Sequence, residues 1–183
     1  MSVQAKDLFV QQQYKEALSL YYGILSQELD DSMSHYNVAL TYTMLGEYEL
    51  AVAYYKKSIR LDDKNVRALN NLAAIYIDYV KDLEIAKQYL DYIIQIAPND
   101  AEAYNHYGKI SFLNDELDIA EKYYQKSIFL DPDYYKNYYD ISKVYVKLNK
   151  NPEAIEYLKK SINLNPDFKE ASEQLAKLEA EAK

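Results

Sequence analysis

The side chains that could perform catalysis or bind a metal ion are few in this sequence. Its two histidines, His35 and His106, lie far apart, and neither belongs to a His-x-x-x-His or Glu-x-x-His pair of the kind that binds zinc. The chain has no cysteine to serve as a nucleophile or thiolate ligand, and no glycine-rich loop to hold a phosphate group. Carboxylates such as Glu47 and Glu49 are spaced as ordinary surface residues. The sequence therefore predicts a protein that is not an enzyme and uses no cofactor and no metal ion.

The charge balance argues against nucleic acid as a partner. The 183 residues include 21 Lys and Arg against 29 Asp and Glu, a net charge of -8, whereas a protein that neutralises phosphates needs the opposite sign. The 22 tyrosines could stack on bases only if basic residues were interleaved around exposed rings. We expect most of them to fill gaps between helices while keeping the hydroxyl in water.

The first residues of the chain carry a polar side chain every few positions and no long apolar run. This pattern is typical neither of a signal peptide nor of a membrane span. Together with the absence of cysteine, it predicts a cytoplasmic protein that does not insert into a membrane.

Turn-forming residues are scarce, with 3 Gly and 4 Pro in the whole chain. No Asn-Gly or Asp-Gly dipeptide is present to close a β-hairpin. Long helices joined by short turns fit this composition, and the predicted fold class is all-α.

A small residue followed 12 or 13 positions later by alanine recurs along the chain. Antiparallel helices can approach closely only where the facing side chains are small, so each such pair predicts two packed helices. Proline at positions 98, 132 and 166 would end the second helix of a pair, and Asp133 and Asp167 would cap the next helix. The pairs are Ala5/Ala17, Ala39/Ala51, Ala73/Ala86, Gly108/Ala120 and Ser142/Ala154.

This pattern resembles the tetratricopeptide repeat (TPR), a helix–turn–helix unit of 34 residues. In residues 101–134, Gly108, Ala120, Tyr124 and Pro132 stand where the family places its small residue, alanine, aromatic residue and proline. The resemblance covers nearly the whole chain and implies an α-α superhelix, or solenoid, in one domain over 1–183. The implied repeats are 1–31, 32–65, 66–100, 101–134 and 135–168, followed by a capping helix at 169–183.

Three local features depart from the regular pattern or complete it. His35 stands where the family consensus has tryptophan, so we expect it to be a packing residue. The third repeat has one extra residue, which we place within 78–82. In the capping helix, Ala176 takes the small-residue position, with Leu175 and Leu178 facing inward.

In the TPR family the first helix of each pair lines a concave surface that binds an extended peptide or a partner helix. By resemblance, the corresponding positions give a set of candidate residues for binding a partner. They are Tyr36, Asn37, Arg67, Asn70, Asn71, Asn105, His106, Lys109, Lys136, Tyr139, Lys143 and Lys147.

Two kinds of contact are expected on this surface. Lys109, Lys136, Lys143 and Lys147 form a basic patch on an acidic chain, which would attract an acidic segment. Amides such as Asn37 and Asn71 can bind an extended backbone without reading its sequence. The lysines are equally compatible with an ordinary solvated surface.

Two functions are compatible with this sequence. The first is an adaptor or scaffold that binds a peptide or protein segment, acidic or extended, in its groove. The alternative is a module for self-association or spacing, part of a larger protein or of a homo-oligomer, because a shortened first repeat would expose the apolar sides of Leu8 and Tyr14.

Overall fold

The computed structural model describes residues 2–27 and 30–181, and these residues form eleven α-helices and no β-strand. The predicted fold class, five helix pairs followed by a capping helix, is confirmed. The helices are α1 (Ser2–Val10), α2 (Tyr14–Leu25), α3 (Ser32–Leu45), α4 (Tyr48–Leu61), α5 (Val66–Ile75), α6 (Leu83–Ile96), α7 (Ala101–Leu113), α8 (Leu117–Leu130), α9 (Tyr135–Lys147), α10 (Asn151–Leu164) and α11 (Lys169–Glu181).

The helices divide into two compact units. Unit 1 comprises residues 1–96 with helices α1 to α6, and unit 2 comprises residues 97–183 with helices α7 to α11. Within each unit every helix packs on the next one along the chain. The single domain over 1–183, with the repeat boundaries given above, stays a prediction.

The small residues of the first helices lie in the core, as their spacing indicates. Each small residue is paired with a large side chain on the second helix of the same pair. That side chain comes 16 or 17 positions later in the sequence and is also buried. In unit 2 the approach is closest at Gly108, where an added Cβ would lie 2.7 Å from Cδ1 of Tyr124. The buried large side chains are Tyr21, Tyr55, Leu90, Tyr124 and Leu158, none more than 3% exposed.

A buried serine adds a second constraint within three of the pairs. Ser58 Oγ, Ser127 Oγ and Ser161 Oγ donate to backbone carbonyls in the first turn of the preceding helix, at 2.9, 2.7 and 2.9 Å. In all three cases the donor follows the acceptor by 26 residues. These bonds fix the relative position of the two helices along their axes.

Every turn between the two helices of a pair contains one residue with positive φ. Only Gly46 among them has the freedom of glycine there; Asp115 and Asn149 are of types that tolerate the left-handed region. The other two are Gln12 and Lys81. The tight turn is thus imposed by helix packing rather than by a glycine in each repeat.

Side-chain caps begin several helices, but not the ones predicted. Asp31, Asn65 and Asp100 accept backbone N–H bonds at the starts of α3, α5 and α7. The expectation for Asp133 and Asp167 is wrong. Each instead donates its own backbone N–H to the side chain two residues earlier, in the turn around the proline, and α9 and α11 begin two residues later.

The extra residue of the third repeat is absorbed by a π-helical segment, Tyr76–Val80, that follows α5 directly. A π-helical turn holds one more residue than an α-helical turn. The segment ends at Lys81, whose backbone is left-handed with φ 63°. It overlaps the range 78–82 predicted for the insertion.

In the capping helix α11 the predicted register needs a correction. Leu178 is 2% exposed and Leu175 is half-buried, as expected, but Ala176 is exposed and Ala171 is fully buried. The reason is that α11 packs mainly on α10. The side that would meet a second helix of its own pair, where Ala176 lies, faces solvent. Residues 182 and 183 of the predicted helix lie outside the described residues.

We predict that Gly108→Ala destabilises unit 2. Alanine adds about 1 kcal/mol of helix propensity, but its Cβ would collide with the buried ring of Tyr124, and such overpacking costs about 1–3 kcal/mol. The net loss in free energy of unfolding, measured by urea denaturation, should be up to about 2 kcal/mol.

Gly23→Ala is the matched control, because no atom lies within 4 Å of the added Cβ and α2 should gain about 0.5–1 kcal/mol. Equal gains for both variants would contradict the prediction. That result would mean that α7 moves away from α8 until an alanine fits, as Ala39 does opposite Tyr55.

Candidate functional site

Three alternate helices of unit 2, α7, α9 and the start of α11, enclose an open hollow of about 370 Å³. Five of the predicted binding residues meet there: Asn105, His106, Lys109, Lys136 and Tyr139. We call it the polar hollow, because amide and charged side chains dominate its lining. Its other lining residues are Glu102, Tyr134, Asp140, Phe168 and Glu170.

An amide and carboxylate network forms the floor of the polar hollow. Asn105 Nδ2 donates to Oδ1 of Asn137 and to Oδ2 of Asp140, both at 3.1 Å. Asn137 is 1% exposed and donates in turn to the carbonyl of Asp131. Asp140 also forms an ion pair with Lys143 one helical turn away. The network holds the Asn105 amide in a fixed orientation.

A second hollow, of about 290 Å³, lies beside the first and shares Tyr139 with it. We call it the apolar hollow, because Phe112, Tyr139 and Val146 supply most of its surface and two lysines stand at its rim. Lys143 Nζ lies 4.9 Å from the ring centroid of Tyr139, and Lys147 Nζ lies 5.1 Å from that of Phe112. Gln174 of α11 completes the lining.

The predicted basic patch is partly neutralised by ion pairs. Lys143 pairs with Asp140, and Lys147 Nζ lies 2.6 Å from Oδ1 of Asp115 in the turn between α7 and α8. Lys136 is exposed and lies 6.0 Å from the ring centroid of Tyr135. The remaining positive charge is therefore less concentrated than the sequence suggested.

Acidic side chains set the electrostatic environment of the polar hollow. Burial and then the nearby carboxylates of Glu102, Asp140 and Asp131 raise the pKa of Tyr134 to about 12. The pKa of Tyr139 is raised by burial and by Asp140, Glu170 and Glu173. Loss of surrounding water raises the pKa of Glu102, and the charge of Asp100 raises it further by a smaller amount. The positive charge of Lys136 lowers that pKa and so acts in the opposite direction. Since both pKa values are raised, Tyr134 and Tyr139 stay neutral hydrogen-bonding groups at physiological pH.

The predicted binding residues of unit 1 do not all lie at one place. Asn71 Nδ2 donates to the hydroxyl of Tyr36 at 3.4 Å and to the backbone carbonyl of Arg67 at 2.9 Å, so the side chains of Asn71 and Tyr36 lie together. Asn37 is half-buried on α3. Asn70 on α5 is 1% exposed, and its role in binding a partner stays a prediction.

His35 is 7% exposed, and its ring lies 5.9 Å from that of Tyr54, which agrees with the predicted packing role. Sequence reasoning missed Phe168 and Gln174, because the candidate binding residues were taken from the first helices of complete pairs. The end of the fifth repeat and the capping helix also reach the hollows. Asn137 was missed as well, since an asparagine on a packing face has no distinctive spacing.

Two searches for other kinds of site cover the described residues only. Among residues 2–27 and 30–181, no group of three or more His, Cys, Asp or Glu could hold a metal ion. In the same part of the chain, no helix has the length and apolar content needed to cross a membrane.

Family profiles match two parts of the chain. The tetratricopeptide repeat profile matches residues 32–65, which are the second predicted repeat. The profile of regulator of microtubule dynamics proteins 1–3 matches residues 115–183.

Solved structures share the fold over nearly the whole chain at low sequence identity. A thermophilic TPR protein of Thermus thermophilus, TTC0263, superposes with a TM-score of 0.79 and 20% identity over 96% of this chain and 95% of its own. A chain of the Cut9–Hcn1 assembly of the APC/C superposes with a TM-score of 0.88 and 16% identity. The match covers 96% of this chain and 35% of that one. YrrB, a TPR protein with an unusual peptide-binding site, superposes with a TM-score of 0.62 and 22% identity. The match covers 93% of this chain and 87% of the YrrB chain. The chain thus contains a tetratricopeptide repeat at residues 32–65 and shares the fold of tetratricopeptide repeat proteins over nearly its whole length.

Curated relatives are similar over part of their length. The photosystem I assembly protein Ycf3 of Synechococcus elongatus is 34% identical over 98 residues, 52% of this chain and 50% of the relative. The Ycf3 protein of Cyanophora paradoxa is 42% identical over 66 residues, 34% of this chain and 38% of the relative. The chain therefore spans half or less of the length of these relatives.

We predict that Asp140→Asn destabilises unit 2 by about 1–2 kcal/mol, because its carboxylate is 17% exposed and accepts a hydrogen bond from Asn105 besides pairing with Lys143. Urea denaturation provides the measurement.

The control is Glu156→Gln, which removes a 67% exposed carboxylate paired with Lys160 and should cost no more than about 0.5 kcal/mol. If the two variants lose the same free energy of unfolding, the network does not stabilise the floor of the polar hollow.

Proposed function

We propose that this chain is a non-catalytic, cytoplasmic interaction scaffold that binds a segment of a partner protein on the face formed by α7, α9 and α11. The observation that carries the proposal is the pair of adjoining hollows on this face, which share Tyr139. One offers fixed amides and the other offers apolar surface with a lysine rim. Neighbouring hollows of this kind suit successive residues of one segment better than a single small molecule.

The chemistry of the two hollows indicates what the segment would contain. An apolar side chain would fill the space between Phe112, Tyr139 and Val146. A carboxylate beside it would reach Lys143 or Lys147 at the rim, and the amide of Asn105 would contact backbone. The proposed partner is thus an extended, acidic and partly apolar protein segment. Nucleic acid and membrane lipid do not fit, since the chain is acidic overall.

The names of similar proteins support the general function. Ycf3 is named for the assembly of photosystem I, and YrrB for a peptide-binding site. Both descriptions involve the binding of other polypeptides. They do not extend to a particular client for this chain.

The alternative function, self-association, loses part of its motivation in the structure. Leu8 and Tyr14 are half-buried rather than exposed, and Leu8 packs against the core of unit 1. Gln4 and Asp7 lie exposed on α1, and Gln11 is exposed in the turn that follows it. Sedimentation that shows dimers at micromolar concentration would restore this alternative.

We predict that replacing Lys136, Lys143 and Lys147 by Glu abolishes capture of an acidic partner from lysate of the source cells. The rim would then repel the partner's carboxylates. The measurement is a pull-down compared with the native chain by quantitative mass spectrometry.

Lys159→Glu is the control, because Lys159 pairs with Glu179 at 3.4 Å in the same unit, away from both hollows. A partner retained by the triple variant would move the site to the Asn37 and Asn71 surface or to another face.

We also predict that Asp115→Asn strengthens binding of the captured segment by about twofold to fivefold, which is the scale of one exposed ion pair. Asp115 already forms an ion pair with Lys147 within the chain. A carboxylate of the partner must therefore displace Asp115 before it can pair with Lys147. Asparagine tolerates the left-handed backbone at this position, where φ is 65°.

Isothermal titration with a synthetic copy of the captured segment provides the measurement. Glu179→Gln, which frees Lys159 instead, should leave the affinity unchanged. Weaker binding by Asp115→Asn would show that Lys147 does not contact the partner.

A further inference from the structure

A surface pocket of unit 1 lies at the single inserted residue of the third repeat. The π-helical segment Tyr76–Val80 turns Tyr79 and Val80 outward, leaving them 52% and 50% exposed. They form, with the start of α4, a pocket of about 400 Å³. Insertions of this type in helices are frequent at functional sites. We call it the tyrosine pocket; its lining is Tyr48, Glu49, Val52, Tyr76, Tyr79 and Val80.

Two tyrosine rings stack at this pocket. The centroids of Tyr48 and Tyr79 are 3.5 Å apart and the rings are inclined by only 19°. Tyr79 remains half exposed, so part of the stack is accessible to solvent. The rim therefore presents an aromatic face to solvent beside the apolar side chains of Val52 and Val80.

The charges beside the stacked rings are negative. Glu47 and Glu49 flank Tyr48, both are exposed, and neither forms an ion pair within the described part of the chain. Asp78 and Lys81 stand on either side of the Tyr79–Val80 pair and offset each other in charge. The start of α4 and the end of the π-helical segment meet at this pocket. The partial positive charge of the first and the partial negative charge of the second therefore offset each other. The carboxylate of Glu49 thus remains at the lining of the pocket, and the exposed Glu47 adjoins Tyr48 in the chain.

We propose that the tyrosine pocket binds an arginine side chain of a partner protein. A guanidinium group stacks on aromatic rings and pairs with carboxylates at the same time, and its methylene stem can lie on apolar surface. The tyrosine stack, the carboxylate of Glu49, and Val52 with Val80 supply these three contacts, and Glu47 adds negative charge next to Tyr48. The chain already uses the first of them internally, since Lys56 Nζ lies 5.5 Å from the ring centroid of Tyr76.

The other repeats supply variants that remove the pocket without disturbing packing. Leu45 and Leu148 stand six residues after the small residue of their repeats, as Tyr79 does, and Leu83 and Leu117 stand three before the alanine, as Tyr48 does. Tyr48→Leu and Tyr79→Leu therefore use a side chain that the fold accepts at the same positions. Repeat four also has an internal control, because Glu116 and Asp118 flank Leu117 with the same two charges and no tyrosine.

The test uses the blocked peptide Ac-Gly-Arg-Gly-NH2 and its citrulline counterpart, titrated into the ¹⁵N-labelled full chain and followed by amide chemical shifts. We expect shifts confined to residues 47–52 and 76–81. Binding of the citrulline peptide should be at least about fivefold weaker, since citrulline lacks the charge. Tyr48→Leu/Tyr79→Leu and Glu47→Gln/Glu49→Gln should each weaken arginine binding by a similar factor.

Either of two results would overturn the proposal. Equal binding of the arginine and citrulline peptides would show that charge is not recognised. Shifts of equal size around Glu116 and Asp118 would show that the peptide follows exposed carboxylates anywhere on the surface. The spectra of the unliganded variants report whether the fold is kept, so a variant that fails to fold would be identified and replaced by the single substitution Tyr79→Leu.

Discussion

The close approach of two helices at a small residue is the constraint on which the rest of this structure depends. At Gly108 the helix pair leaves no space for a single added carbon atom against the ring of Tyr124. In all five pairs the small residue and the large side chain that follows it by 16 or 17 positions are buried. Because this distance is fixed, the turn between the helices has little freedom, and a residue such as Lys81 or Gln12 must adopt a left-handed backbone that glycine would adopt more easily.

The same constraint determines which side chains can form a binding surface. Residues on the far side of each first helix are free of the packing requirement, so α7 and α9 can present Asn105, Lys109, Lys136 and Tyr139 together at one hollow. The network beneath them depends on Asn137, which is buried on the packing side and accepts from Asn105. The scaffold and the candidate site are thus connected by a short chain of hydrogen bonds.

Irregular positions have a different role from regular ones. Where the repeats agree, their side chains pack; where one repeat departs, a surface feature arises, as the tyrosine pocket does beside the π-helical segment. The acidic charge near Tyr48 and the lysine rim near Phe112 give the two units surfaces of different chemistry. Two distinct kinds of partner segment would fit them.

The sequence by itself determined the all-α class, the five helix pairs and the place of the inserted residue, because close helix packing limits which residue types can recur at fixed spacing. It also located five residues of the polar hollow. Only the tertiary structure decided that Asn70 and Asn137 are buried, that Ala176 faces solvent, and that Lys147 is paired with Asp115. These outcomes depend on which neighbouring helix covers a given face, and on contacts between residues far apart in the chain. Repeat spacing places a residue on its helix, but it does not determine what lies opposite.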